Sequence, residues 1–315
     1  MRVRAFAKIN LSLRVLGTRA DGFHELQTTL QSIALHDTLT VRRRRGPFRL
    51  TCDDARLPLD RRNLVVRAAH AVWKASRRRG APCDVAIDLV KRIPLEAGLG
   101  GGSSDAAAAL RALGTIWRVD ESRLQAIAPK LGADVPYFFE GGTVLGLARG
   151  DVLVPLPDRA AAWVVLALPD FGVSTADAYG WWDSDRASRQ SSFDKRAKSE
   201  ELILRQAQDE RRVEARRMSG TTKPRALSSS KGELRNDLQG PVAKQHPVIA
   251  RIVSALRRAG AAHAAKSGSG SAVFGLFVRR ASALGAARAV SAGVCRRTLV
   301  TRTLTRAAYR RLAGK

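Results

Sequence analysis

The chain opens on strict alternation. From Val3 to Val15 the odd positions Val3, Ala5, Ala7, Ile9, Leu11, Leu13 and Val15 are apolar, while the even ones include Arg4, Lys8, Asn10, Ser12 and Arg14. A period of two predicts a strand with one buried face. Gly17 and Asp21-Gly22 then punctuate the chain before an apolar-rich segment through Leu35, and Asp37 to Val41 reads as a further strand. The spacing turns helical over Asn63–Lys74, through Leu64, Val65, Ala68, Ala69, Val72 and Trp73, and alternates again over Cys83–Val90. Ala106–Leu113 is alanine-rich and predicts a helix. Another helix is expected over Glu121–Lys130, stopped by Gly132, with Asp134-Val135-Pro136 leaving it in an extended form because a residue before proline avoids helical angles. Strands follow at Thr143–Leu147 and Ala162–Leu168, then a helix from Pro247 to Ala262 and a strand at Ala272–Val278. The end of the chain reads as helix, the strand Thr298–Leu304 and a short basic helix.

These elements predict an α+β protein. Its 315 residues, 45% of them hydrophobic, suffice for two packed cores. A boundary near Pro155–Pro157 divides it into residues 1–155 and 156–315. The stretch from about 183 to 234 is polar, charge-mixed and nearly free of aromatics, so it is expected to be a disordered insertion that buries too little apolar surface to offset its ordering entropy. No run approaches the length of a membrane span, and the alternating N-terminus lacks a signal-peptide core. The expectation is a soluble, cytoplasmic protein.

Charge widens the field before chemistry narrows it. Lys+Arg number 55 against 28 Asp+Glu, a formal net charge of +27. Such a surface suits a nucleic acid, a membrane or an anionic small substrate, and the excess of Arg over Lys also fits the base composition of a genome. The stretch after Val278 is basic and has no acid at all. Cys52, Cys83 and Cys295 lack metal-site or redox spacing and are expected to be buried thiols.

The most informative segment is Pro94-Leu95-Glu96-Ala97-Gly98-Leu99-Gly100-Gly101-Gly102-Ser103-Ser104-Asp105, between a strand and a helix. Glycines there let backbone N–H groups approach a phosphate, and a helix N-terminus favours negative charge. A Walker A loop would need Lys after the last glycine, and a dinucleotide fingerprint would need a third glycine where Ser103 stands.

IPLEAGLGGGSSDAAAAL resembles the phosphate loop of the galactokinase, homoserine kinase, mevalonate kinase and phosphomevalonate kinase (GHMP kinase) superfamily. AKINLSLRVLGTRADGFHEL at Ala7–Leu26 and LGADVPYFFEGG at Leu131–Gly142 resemble the branch of that superfamily whose acceptor alcohol carries cytidine diphosphate. GVSTADAY at Gly172–Tyr179, NDLQ at Asn236–Gln239 and KSGSGSAVFGLF at Lys266–Phe277 extend the resemblance over nearly the whole chain outside the insertion.

The resemblance implies a two-domain kinase fold, with an N-terminal domain like ribosomal protein S5 domain 2, a ferredoxin-like C-terminal domain and a site between them. It implies transfer of the γ-phosphoryl of ATP to the 2-hydroxyl of 4-diphosphocytidyl-2-C-methyl-D-erythritol, in isoprenoid precursor synthesis. Lys8 and Asp134 match the catalytic lysine and general base, and Pro94 to Ser104 match the residues around the nucleotide phosphates. Asn10, Phe23, His24, Thr175, Tyr179, Gly268, Ser269 and Gly270 match substrate positions, with an aromatic pair around the cytosine and His24 at its edge. Phe23 stands where a tyrosine is more usual, Glu96-Ala97 replace glycine, and Lys266 stands where an uncharged residue is more usual. Mg²⁺ is expected with ATP, held mainly by phosphate oxygens and waters near Ser103 or Ser104.

Expected partners are therefore a small molecule bearing cytidine diphosphate, no specific nucleic acid and no membrane, in a monomer or homodimer. Two rivals stand beside this reading: a kinase of the same superfamily with another acceptor, such as mevalonate or homoserine, and an RNA-binding protein, which leaves the shared order of Lys8, the glycine loop and Asp134 without explanation.

Overall fold

The opening alternation forms β1 (Arg2–Thr18), and the two segments after it merge into one long strand, β2 (His24–Pro47). The computed structural model describes residues 1–189, 234–295 and 297–314. β2 runs unbroken because it has partners on both edges: β1 along one, and β5 (Thr143–Ala148) then β4 (Cys83–Val90) along the other. β3 (Arg49–Cys52) pairs in parallel with β4, and β6 (Val152–Pro155) closes the other end.

Against this sheet lie α1 (Leu64–Ala75), α2 (Gly101–Trp117) and α3 (Glu121–Leu131), joined by the short α4 (Tyr137–Glu140). Asn63 caps α1, its side chain accepting from Val65 N at 2.9 Å. Leu39 and Ile87 of the sheet and Val65, Leu110 and Leu113 of the helices are buried in one core. α2 begins at Gly101, two residues before the serines expected to open it. The extended exit expected at Asp134–Pro136 is corrected: residues 133–136 are a turn, with Val135 N donating to Gly132 O and Pro136 in helical angles leading into α4. The restriction before a proline was outweighed by closure of this turn.

The second sheet has the order β10-β7-β9-β8, built from β7 (Trp163–Leu168), β8 (His263–Lys266), β9 (Val273–Phe277) and β10 (Arg297–Arg302), all antiparallel neighbours. Helix α5 (175–189), α6 (Gln239–Gln245), α7 (Val248–Arg258) and α8 (Arg280–Gly293) complete a ferredoxin-like succession. α7 stops at Arg258, short of the expected Ala262, because Gly260 takes a left-handed φ of 86° and the chain turns into β8. Residues 183–189, expected in the insertion, continue α5, where Asp185 pairs with Lys244; residues 190–233 lie outside the described residues. Cys295 is buried as expected, but Cys52 and Cys83 are only half-buried, at the ends of β3 and β4, where they pack against the first core.

The two sheets meet at β1. Ala7, Ile9 and Leu11 pack against Val164, Leu166 and Phe274 of the second sheet. The middle of the apolar face of β1 is thus buried by the second sheet, and on its polar face Lys8 and Asn10 are buried as well, while Arg4 and Arg14 at either side stay exposed. α9 (Arg306–Leu312) returns to the first domain, where Tyr309 packs on Phe6 and donates to Phe138 O at 2.7 Å.

Candidate active site

A break in the β1–β2 ladder creates the site. Phe6 pairs with His36, but the next recorded pair is Lys8 with Ser32, so β2 bulges opposite Ala7. Lys8 and Ser32 stay opposite each other, but their N–H groups point away from the pair: Lys8 N donates to Leu99 O at 3.0 Å, and Ser32 N donates to Gly142 O at 3.0 Å. Ser104 Oγ donates to Phe6 O at 2.7 Å. These bonds fasten the glycine loop to β1 on one side of Lys8 and the end of the Asp134 segment to β2 on the other.

Lys8 is 4% exposed. Its Nζ donates to Asn10 Oδ1 at 2.7 Å and lies 3.3 Å from Asp134 Oδ2. Asn10 Nδ2 donates to Thr28 Oγ1 at 2.8 Å, and Thr28 Oγ1 donates to Ser12 O at 2.7 Å. This chain orients the amide so that its oxygen faces the ammonium. Asp134, at 37% side-chain exposure, opens into a cleft of about 550 Å³.

The glycine loop lies beside Lys8. Gly98 and Gly100 have φ of 74° and 71°, angles that L side chains rarely adopt. A Cβ at Gly100 would fall 2.8 Å from Phe138 Cζ and 3.2 Å from Lys8 Cε. The second glycine loop interlocks with the first: Ser271 N donates to Glu96 O at 3.3 Å, Ala272 N to Ala97 O at 3.1 Å, and Ser267 Oγ to Gly98 O at 3.0 Å.

The other end of the cleft is aromatic. His24 stacks on Tyr179 with centroids 4.5 Å apart, meets Trp182 edge-on, and its Nε2 is 2.9 Å from Asp183 Oδ1. Burial pushes the Tyr179 phenol upward. Phe23 is 55% exposed and lies beneath the Arg149 guanidinium, 5.1 Å from its ring centroid. Thr175 Oγ1 and Ser269 Oγ are 3.0 Å apart at the cleft wall.

The cleft brings together Lys8, Asn10, Phe23, His24, Ser103, Asp134, Thr175, Tyr179, Gly268 and Ser269. The first loop does not face it uniformly. Pro94, Leu95, Glu96 and Ala97 line a separate cavity of about 480 Å³ with Phe171, Ser271 and Arg297. Leu99 and Ser104 are buried in packing. Thr28, Arg149 and Asp183 line the cleft without having been singled out. Asp183 had one legible signal, since it stands four residues after Tyr179 on the same helix.

Behind the first loop, Lys91 is buried between two carboxylates: it pairs with Asp37 and, at 2.8 Å, with Asp105. Asp37 also accepts from Ile93 N at 2.8 Å. Burial raises the Asp105 carboxyl strongly against the pull of Lys91. For Lys91, burial works downward but the two carboxylates prevail and raise it. A Cβ at Gly101 would come within 3.3 Å of Lys91 Nζ, so the triad braces the first turn of α2.

Comparison with known proteins agrees with this architecture. A profile of the GHMP kinase N-terminal domain matches residues 63–142, and a profile of the GHMP kinase C-terminal domain matches residues 223–294. The 4-diphosphocytidyl-2-C-methyl-D-erythritol kinase of Solibacter usitatus is 42% identical over 315 residues, covering 98% of this chain and 92% of the relative. That of Synechococcus sp. (strain JA-3-3Ab) is 39% identical, covering 87% of this chain and 84% of the relative. The crystal structure of a 4-(cytidine 5'-diphospho)-2C-methyl-D-erythritol kinase superposes with a TM-score of 0.72 at 30% identity, over 96% of this chain and 99% of that one. Mevalonate kinase from L. major shares the fold at 14% identity, with a TM-score of 0.63, over 97% of this chain and 96% of its own. The chain belongs to the 4-diphosphocytidyl-2-C-methyl-D-erythritol kinase family of GHMP kinases.

Proposed function

We propose that this chain transfers the γ-phosphoryl group of ATP to the 2-hydroxyl of 4-diphosphocytidyl-2-C-methyl-D-erythritol, releasing ADP, in the non-mevalonate route to isoprenoid precursors. The observation that carries the chemistry is the Lys8–Asp134 pair, 3.3 Å apart between a phosphate-type glycine loop and an aromatic pocket. Asp134 is the acceptor for the hydroxyl proton, and general-base work of this kind contributes about 10²–10⁴ in rate. Lys8 stabilises charge that develops on the transferred phosphoryl and orients the Asp134 carboxylate. Asn10, locked by Thr28, holds the ammonium in place.

The loop residues from Gly98 to Ser103 are the ones assigned to the ATP phosphates: Gly100 packs its backbone against Lys8 and Phe138 where a Cβ would collide, and Ser103 lines the cleft beside Lys8. Phe23, His24 and Tyr179 take the cytosine, by stacking and by polar contact from His24. Among the described residues no group of three or more His, Cys, Asp or Glu side chains is placed to hold a metal ion. A Mg²⁺ ion accompanying ATP would accordingly be held by phosphate oxygens and water, with the Ser103 hydroxyl at the cleft wall; Ser104 already donates to Phe6 O. Such an ion neutralises phosphate charge.

The two sheets, at residues 2–155 and 163–302, support domain limits of 1–155 and 156–315, with the exception that α9 packs on Phe6 and Phe138 of the first domain. No helix among the described residues is long and apolar enough to cross a membrane. The function is tested by measuring ADP release with the cytidylyl acceptor, mevalonate and homoserine in competition. Turnover that follows the cytidylyl acceptor supports the assignment, and turnover with mevalonate or homoserine alone refutes it.

A further inference from the structure

The second glycine loop rests on a buried amine that the transfer chemistry does not use. Lys266 ends β8 with none of its surface exposed. Its Nζ donates to Gly268 O at 2.7 Å and Gly270 O at 3.0 Å. Among the described residues no carboxylate pairs with it. A buried ammonium without a counter-ion is costly, and an apolar side chain of similar volume would fill the space without that cost. Burial, with the like charge of Lys8 added, lowers the Lys266 amine to about 7. What this side chain provides, and a hydrocarbon cannot, is a pair of N–H donors directed at two carbonyls.

Both carbonyls belong to glycines that touch the site. A Cβ at Gly268, where φ is 54°, would lie 2.9 Å from Asn10 Oδ1 and 3.2 Å from Lys8 Nζ. A Cβ at Gly270 would lie 2.0 Å from Gly98 N and 2.2 Å from the carbonyl carbon of Ala97. One glycine therefore rests on the Lys8–Asn10 pair and the other on the backbone of the first loop. Asn236 Nδ2 adds a second donor to Gly268 O at 2.9 Å and bonds Lys266 O at 2.8 Å, so the amine sits inside a polar clamp.

We propose that Lys266 is a positioning residue for phosphoryl transfer, tethering Gly268 and Gly270 from beneath so that the second glycine loop holds Lys8 and the first loop in register. The proposal rests on the assignment of Lys8 and Asp134 as the transfer pair. It requires a donor and not a charge, because a neutral amine still has two N–H bonds for the two carbonyls.

The test compares Lys266→Met, which has no donor, with Lys266→Gln, whose amide nitrogen donates two. Both are assayed with ATP and the cytidylyl acceptor, and amide hydrogen exchange is followed over residues 267–271. Lys266→Met is expected to lower kcat by about tenfold or more and to speed exchange in that segment. The KM for the acceptor should change little, because Phe23, His24 and Tyr179 are not touched. Lys266→Gln should recover most of the lost kcat and the slow exchange. If Lys266→Met matches the wild type in both kcat and exchange, or loses kcat with exchange unchanged, the proposal is wrong. Should Lys266→Met fail to fold, Lys266→Gln decides alone: a variant of wild-type thermal stability with kcat reduced tenfold overturns it. Failure of the underlying assignment is separable, since Lys8→Met would then keep turnover while Lys266→Met still loosened the loop.

Discussion

Lys8 Nζ stands 3.3 Å from Asp134 Oδ2 and 2.7 Å from Asn10 Oδ1, although Lys8 and Asp134 come from opposite ends of the first domain's sequence. Backbone bonds on either side of the Lys8–Ser32 pair hold the partners in place, Lys8 N donating to Leu99 O of the glycine loop and Ser32 N to Gly142 O beyond α4.

Replacing the Lys8 ammonium removes the positive half of the transfer pair, which faces Asp134 at 3.3 Å. Lys8→Met is expected to reduce kcat by about 10²–10³, the range found when one preorganised donor to developing charge is lost. Steady-state kinetics at saturating ATP and acceptor check it.

The aromatic end should act on binding more than on chemistry. Tyr179→Ala removes the ring on which His24 stacks at 4.5 Å. With base stacking worth about 1–3 kcal/mol, the KM for the cytidylyl acceptor should rise by about 5- to 150-fold, with kcat changed far less. Acceptor titrations at fixed ATP separate the two constants.

Gly100→Ala probes the other end. The new methyl would meet Phe138 Cζ at 2.8 Å in a left-handed backbone conformation, so the loop must shift. ATP affinity should fall by about tenfold or more while acceptor affinity is nearly kept. Calorimetric titration with a non-hydrolysable ATP analogue and, separately, with acceptor measures both.

Lys266 also gives a signed dependence of stability on pH. Its folded-state value, lowered to about 7, lies below the unfolded value near 10.5, so the unfolded chain binds more protons between those limits. The Lys266 contribution to stability is fully present above the unfolded value and is lost as pH falls through about 7. The charged neighbour that faces it is Lys8, with carbonyls of Gly268 and Gly270 as its acceptors. The rise in wild-type melting temperature from pH 7 to pH 9 attributable to this group should be absent in Lys266→Met, as thermal denaturation at both pH values would register.

The legible and illegible parts of the site differ in their physics. Alternation placed Lys8 and Asn10 on one strand face, but it could not report that these two are buried while Arg4 and Arg14 stay exposed, since their burial depends on two glycine loops distant in sequence. The first glycine loop was legible from composition, whereas its division between two cavities depends on how the second loop packs against Glu96 and Ala97. Local propensity misplaced the approach to Asp134, because a residue before proline was closed into a turn by Gly132 and α4. β2 looked like two strands because its pattern shifts near Leu35, where the ladder with β1 changes register. Arg149 carried no motif and reached the cleft only through tertiary folding, whereas Asp183 was marked only by its helical spacing from Tyr179.

The central claim is that Asp134 acts on the acceptor hydroxyl and not on nucleotide binding. The most direct measurement pairs single-turnover phosphoryl transfer with ATP-analogue titration in Asp134→Ala. Transfer should fall by about 10²–10⁴ with nucleotide affinity nearly unchanged. Transfer within tenfold of the wild type, or a loss explained by nucleotide affinity alone, would contradict it.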